Sequence, residues 1–138
     1  MSRSGYSDDG DYLELYRGNI DRAIKGKRGQ RFFRELVAAL DAMTEKRLIY
    51  NVLEEDDGAV CALGALRKAK GVALEPLRNA DWCELGEVFD VTPILVREVM
   101  FENDDGHYTY GNETHEQRWV RMRDWAASLC GAETRGGR

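Results

Sequence analysis

Residues 30–43 read Gln30-Arg31-Phe32-Phe33-Arg34-Glu35-Leu36-Val37-Ala38-Ala39-Leu40-Asp41-Ala42-Met43, and this stretch decides the fold class. Phe33, Leu36, Val37, Leu40 and Met43 recur at the three- and four-residue spacing of one helix face. Ala38, Ala39 and Ala42 add intrinsic helix propensity. A helix with this apolar stripe needs other elements to cover it. Upstream, a short helix is expected over residues 19–25, broken near Gly26 and Gly29. Residues 1–12 carry Ser, Gly and Asp with little to bury and read as a flexible arm, which Leu13, Leu15 and Tyr16 could dock onto the body.

Downstream, residues 48–53 read either way: Tyr50 and Val52 favour a strand, while residues 46–55 also fit a helix. Asp56-Asp57-Gly58 is a turn signal, so Ala59 and Val60 could return as the second strand of a small β-hairpin around residues 48–60. A helix follows over residues 61–70, with Arg67, Lys68 and Lys70 in its last turns and Gly71 as its C-terminal cap. Asp81 can cap a helix over residues 81–89. Thr92-Pro93 starts another, with proline at the first helical position, running to about Phe101. Thr114 and Gln117 have capping-box spacing ahead of a last helix carrying Trp119, Met122, Trp125, Ala126 and Leu129. The expected architecture is therefore mostly α: a single-domain helical bundle over residues 13–131, with a tail at 132–138.

A chain of 138 residues that is 43% hydrophobic can build one core, and its 33% charged content calls for a well-solvated exterior. No apolar run approaches the roughly 20 residues of a membrane span, and the start lacks a secretory signal, so a cytoplasmic location and no membrane partner are expected. Cys61, Cys83 and Cys130 lie far apart among apolar neighbours and are read as small buried hydrophobes; neither they nor His107 and His115 have metal-ligand spacing. The net charge of −5 argues against general nucleic-acid affinity. Within that acidic chain, Arg22, Lys25, Lys27, Arg28, Arg31 and Arg34 form a basic block, and Glu54 to Asp57 an acidic one.

The segment Leu85-Gly86-Glu87-Val88-Phe89-Asp90-Val91-Thr92-Pro93-Ile94-Leu95-Val96-Arg97-Glu98-Val99 resembles the helix-turn-helix unit of bacterial regulators. Gly86 matches the small position of its first helix, Val91 the apolar residue after the turn, and Val96 and Val99 the inward face. Asp90 stands where those proteins usually carry glycine. A recognition helix needs polar residues near its start to reach base edges. Here Pro93, Ile94 and Leu95 lead, which leaves Thr92 and Arg97 as the DNA contacts of a regulator reading built on residues 81–101.

A second resemblance covers roughly residues 26–129. Gly58-Ala59-Val60-Cys61-Ala62-Leu63-Gly64-Ala65-Leu66, then Asn103-Asp104, then Thr114-His115-Glu116-Gln117-Arg118-Trp119 follow in the order seen in small uncharacterised proteins of phages and prophages. The resemblance implies a phage-related origin and brings no catalytic residues, metal or cofactor. By analogy it implies a noncatalytic accessory protein that occludes a host protein, such as a component of a CRISPR defence complex. The expected contact residues are the basic block together with Tyr108 and Tyr110, since loop tyrosines offer large contact area with few rotors. A homodimer is compatible with this reading.

Enzyme chemistry ranks behind both binding readings. A nucleophilic Cys61 needs a base, and both histidines lie far along the chain. A small hydrolase would use Asp104, Asp105 and His107 or His115, with no supporting spacing. Nor does the acidic run form an EF-hand: Phe101 stands five before Gly106, and Asn112 six after it. Small residues in the Cys61 segment predict a close helix packing instead.

Overall fold

The computed structural model describes residues 10–105 and 112–131, and of residues 10–16 only the backbone. Among these residues six α-helices follow in order: α1 (Gly10–Lys25), α2 (Lys27–Ala42), α3 (Ala62–Lys70), α4 (Trp82–Phe89), α5 (Pro93–Asp105) and α6 (His115–Leu129), with a 3-10 turn at Glu75–Leu77. The fold is mostly helical, as the periodicity predicts. Helix α1 starts at Gly10, earlier than the expected start near residue 19. Tyr108 and Tyr110 lie outside the described residues, as do most of the expected arm and the whole tail.

Helix α2 organises the core. Phe32 and Phe33 are both fully buried, which a single apolar stripe would not require, because α2 is covered on two sides. Phe32 meets Phe89 of α4 with ring centroids 6.2 Å apart. Phe33 meets Trp125 of α6 edge-on at 5.6 Å, a favourable aromatic geometry. Further along the same contact, Trp119 Nε1 donates to the Leu40 carbonyl at 3.1 Å, and Arg123 grips Asp41 through two bonds of 3.0 and 3.1 Å. At the other end of α2, Gln30 is fully buried yet fully used. Its Nε2 donates to the carbonyls of Ile24 and Leu129 at 2.8 and 2.9 Å, and its Oε1 accepts from Gly131 N at 2.8 Å. One amide thereby satisfies backbone groups at the ends of both α1 and α6, which lack intrahelical partners.

Gly26 alone separates α1 from α2. Gly29 lies inside α2, and the break expected there does not occur. Its role is contact: a Cβ on Gly29 would stand 2.0 Å from the Ala23 carbonyl oxygen of α1. Gly64 in α3 makes the tight packing expected of its small-residue segment, but against a loop backbone rather than a helix. A Cβ there would stand 2.0 Å from the Leu53 carbonyl oxygen.

The hairpin expected around residues 48–60 reduces to one antiparallel bridge, Glu54 with Val60. Most of the connection between α2 and α3 is irregular yet deeply packed, with Leu48, Ile49, Leu53 and Val60 buried. Leu48 and Ile49 are consecutive and both point inward, a pattern strand alternation cannot supply. Several caps are as expected: Asp81–Glu84 and Thr114–Gln117 form reciprocal capping boxes, and Gly71 closes α3 in the left-handed region at φ 70°. Helix α5 runs to Asp105, past the end expected near Phe101, and that extra turn matters for the site.

Candidate functional site

A buried loop must find partners for its backbone polar groups. For residues 48–53 these come from three side chains on two helices. In the last turn of α5, Asn103 is 1% exposed; its Nδ2 donates to the Ile49 carbonyl at 2.9 Å, and its Oδ1 accepts from Ala62 N at 3.1 Å. Next to it, Asp104 Oδ1 accepts from Asn51 N at 3.1 Å. From α6, Arg118 donates to the carbonyls of Asn103 and Leu48 at 3.0 and 3.2 Å. Leu48 N reaches the His115 carbonyl at 3.0 Å and Ile49 N that of Val60 at 2.9 Å.

Arg118 carries charge into this interior, its side chain only 4% exposed, and Glu113 faces it at 3.4 Å with equal burial. Burial lowers the Arg118 pKa while Glu113 works against that shift, and a guanidinium stays protonated through such changes. Glu113 is also gripped by Arg121 at 2.6 and 2.9 Å. Nearby, burial raises the carboxyl pKa of Glu102 above its ordinary range, and Arg121 partly offsets this.

These groups hold a tip in place. Between buried Ile49 and buried Leu53, Tyr50 and Val52 are 48% and 45% exposed. Asn51 between them takes φ 71°, a left-handed conformation that asparagine tolerates better than most residues. The Arg118 guanidinium lies 5.0 Å from the Tyr50 ring centroid, close enough for a cation–π contact. Beside the tip opens a cavity of about 370 Å³ lined by Val52, Leu53, Leu77, Trp82, Leu85 and Met100, with Arg78 and Asp81 also on its lining.

The basic block forms a second exposed region at the α1–α2 corner, where all six of its residues are exposed. Arg28 and Arg31 both reach the turn residue Asp90, donating to its carbonyl at 3.2 and 3.3 Å and pairing with its carboxylate. Arg22 bonds Asn19. Among the described residues, Lys25, Lys27 and Arg34 make no ion pair.

The helix-turn-helix look-alike has its tight turn at Asp90, which adopts φ 54° and ψ 52°. Its second helix, α5, is enclosed: Leu95, Val96, Glu98, Val99, Met100, Asn103 and Asp104 are all buried. Arg97 stacks over Trp82 at 4.4 Å, and Thr92 is half-buried. Asp104, the potential hydrolase residue, is buried beneath the tip. Cys61 is buried and caps α3, its Sγ accepting from Gly64 N at 3.5 Å. Cys83 is exposed on α4, which corrects its assignment to the core. Among the described residues no group of three His, Cys, Asp or Glu is placed to hold a metal ion, and no helix is long and apolar enough to cross a membrane.

Sequence reasoning named Asn103, Asp104 and Arg118 in other connections but did not assign their support of the tip, and it did not place Tyr50 in a site. One signal was available: Arg118 stands four residues before Met122 and eight before Ala126, on the stripe that α6 buries. No protein-family model matches the chain, and no curated protein or solved structure is significantly similar to it.

Proposed function

We propose that the chain is a noncatalytic binding protein of the phage accessory type, which occludes an acidic surface of a host protein through the α1–α2 corner. The observation that carries this reading is the state of Lys25, Lys27 and Arg34: exposed, and without an ion pair among the described residues, in a chain of net charge −5. A predominantly basic patch on a chain of opposite net charge steers encounter with a complementary partner and raises the rate of association. Arg28 and Arg31 hold the corner against the α4–α5 turn. A host defence complex, CRISPR among them, is the class of target that the phage resemblance suggests.

The test is an affinity pull-down from the natural host using wild type, Lys25→Glu/Lys27→Glu and Arg34→Glu. Capture should fall in each variant, with unchanged thermal stability and a weaker salt dependence of the binding that remains. A partner captured equally well by all of them, or a discrete DNA complex that survives competitor and is lost in Arg97→Ala, would overturn the reading.

A further inference from the structure

We propose that the cavity between the last turns of α5 and one side of α6 is a binding site for a linear aliphatic polyamine. This uses none of the residues of the α1–α2 corner and does not depend on the occlusion reading. The cavity measures about 770 Å³, a volume suited to a small ligand, and Glu102 of α5, Glu113 and the α6 residues Glu116, Val120, Asp124 and Trp125 stand on its lining. Its four carboxylates face one lining cation, Arg121, and Glu113 already holds that guanidinium at 2.6 and 2.9 Å. Glu102, Glu116 and Asp124 form no ion pair among the described residues. Glu102 is partly buried, yet its carboxyl accepts no hydrogen bond among the described residues, whereas a polar group withdrawn from water ordinarily gains a partner in exchange. Burial raises its pKa, Arg121 offsets part of that, and Glu98 and Glu113 add to it. The cavity therefore holds more negative charge than the chain itself neutralises.

The layout of these groups selects the ligand. Among the described residues no three carboxylates converge as a metal ion requires. Instead Glu116 and Asp124 stand two turns apart on α6, about 12 Å at the rise of an α-helix. Val120 lies midway between them and is 52% exposed, and Trp125 adds to the apolar lining. Negative charge at both ends of an apolar stretch matches a cation built the same way, with ammonium groups joined by methylenes. Indole is also the aromatic surface that ammonium groups favour most. A peptide is a poorer match, because its carbonyls need donors. The main donor on the lining, Arg121, is committed to Glu113 and to the carbonyls of Glu102 and Asn103. A protonated polyamine brings donors alone, to a lining whose uncommitted polar groups are mostly acceptors.

Isothermal titration calorimetry of the full chain with spermidine, at fixed ionic strength, tests this with no other protein present. Wild type should bind saturably, one ligand to one chain, and should melt at a higher temperature when the ligand is present. Glu116→Gln/Asp124→Asn removes two exposed carboxylates and should weaken binding by about tenfold or more. The melting temperature of that variant without ligand should stay near wild type, since exposed charges contribute little to stability. Val120→Lys sets an ammonium of the chain's own between the two carboxylates and should weaken binding comparably, with an unchanged circular dichroism spectrum. Heat that never saturates, an equal response to magnesium at matched charge, or variants that bind as tightly as wild type would each overturn the proposal. Tighter binding of trilysine than of spermidine would assign the cavity to a basic protein segment and overturn it as well.

Discussion

The tip at Tyr50–Val52 and the corner at Lys25–Arg34 are both exposed, but different physics places them there. The corner lies on regular helices that need no help to expose their lysines. Its two anchored arginines pair with Asp90 while about half exposed, in the range where ion pairs are worth little. The tip is an irregular backbone held from below by buried groups, Asn103, Asp104 and Arg118, whose loss would strand other polar atoms. One region is cheap to alter and presents charge. The other is costly to alter and presents shape.

Arg118→Met should have the largest effect. Removing one partner of a buried ion pair typically costs about 3–5 kcal/mol, and here the Leu48 and Asn103 carbonyls also lose a donor. Urea unfolding should show the loss, and a cost no greater than that of a corner arginine would mean the network does not hold the tip. Gly64→Ala comes next, at about 1–3 kcal/mol for overpacking, because its new methyl would collide with the Leu53 carbonyl. The same substitution at Gly29 should behave alike, through the Ala23 carbonyl.

At the corner, Arg28→Glu/Arg31→Glu should change stability by only about 1 kcal/mol or less. Thermal melts in low and high salt check this: added salt should narrow the gap from wild type, since the introduced carboxylates repel Asp90 through solvent.

The smallest effects are in pH dependence, and two carboxylates should oppose each other. The hydrogen bond from Arg123 holds Asp41 below the ordinary carboxylate range. Its folded pKa is therefore depressed, so its contribution is present above the unfolded pKa and lost as pH falls through the folded value. Asp41→Asn should flatten the acid limb of a stability-against-pH curve. Glu102 is raised by burial, so its contribution is fully present below the unfolded pKa and lost as pH rises through the folded value. Glu102→Gln should gain on wild type as pH rises above the ordinary glutamate range and show no advantage below it. An unchanged curve in either variant would contradict the corresponding shift.

The same contrast explains what the sequence made legible. Caps and helix periodicity are local, so Asp81, Thr114, Gly71 and the α2 stripe could be read within a few residues of where they act. The tip's supports act over distances that leave no local pattern: Asn103 to Ala62 spans 41 positions, and Arg118 to Leu48 spans 70. Asn103 and Asp104 resembled a helix-ending loop because acidic and amide residues usually stop helices. Their position four residues after Val99 and Met100, on a face already buried, was the stronger cue. Gly29 resembled a breaker for the same reason, since a glycine required by a neighbouring backbone looks no different in sequence from one that ends a helix. The basic block was visible as composition, but the use of Arg28 and Arg31 on Asp90 was not.

The Gln30 amide bears on how the chain is made. Its partners on Leu129 and Gly131 lie 99 and 101 residues further along the chain. During synthesis α2 leaves the ribosome long before α6 exists, so Phe33 lacks the Trp125 ring, and Gln30 lacks both the Leu129 carbonyl and the Gly131 N–H. Contacts this distant in sequence close late and slow the search for the native state. Until α6 has been made, the nascent chain therefore carries an aromatic face without its Trp125 cover, the kind of surface that chaperones shield.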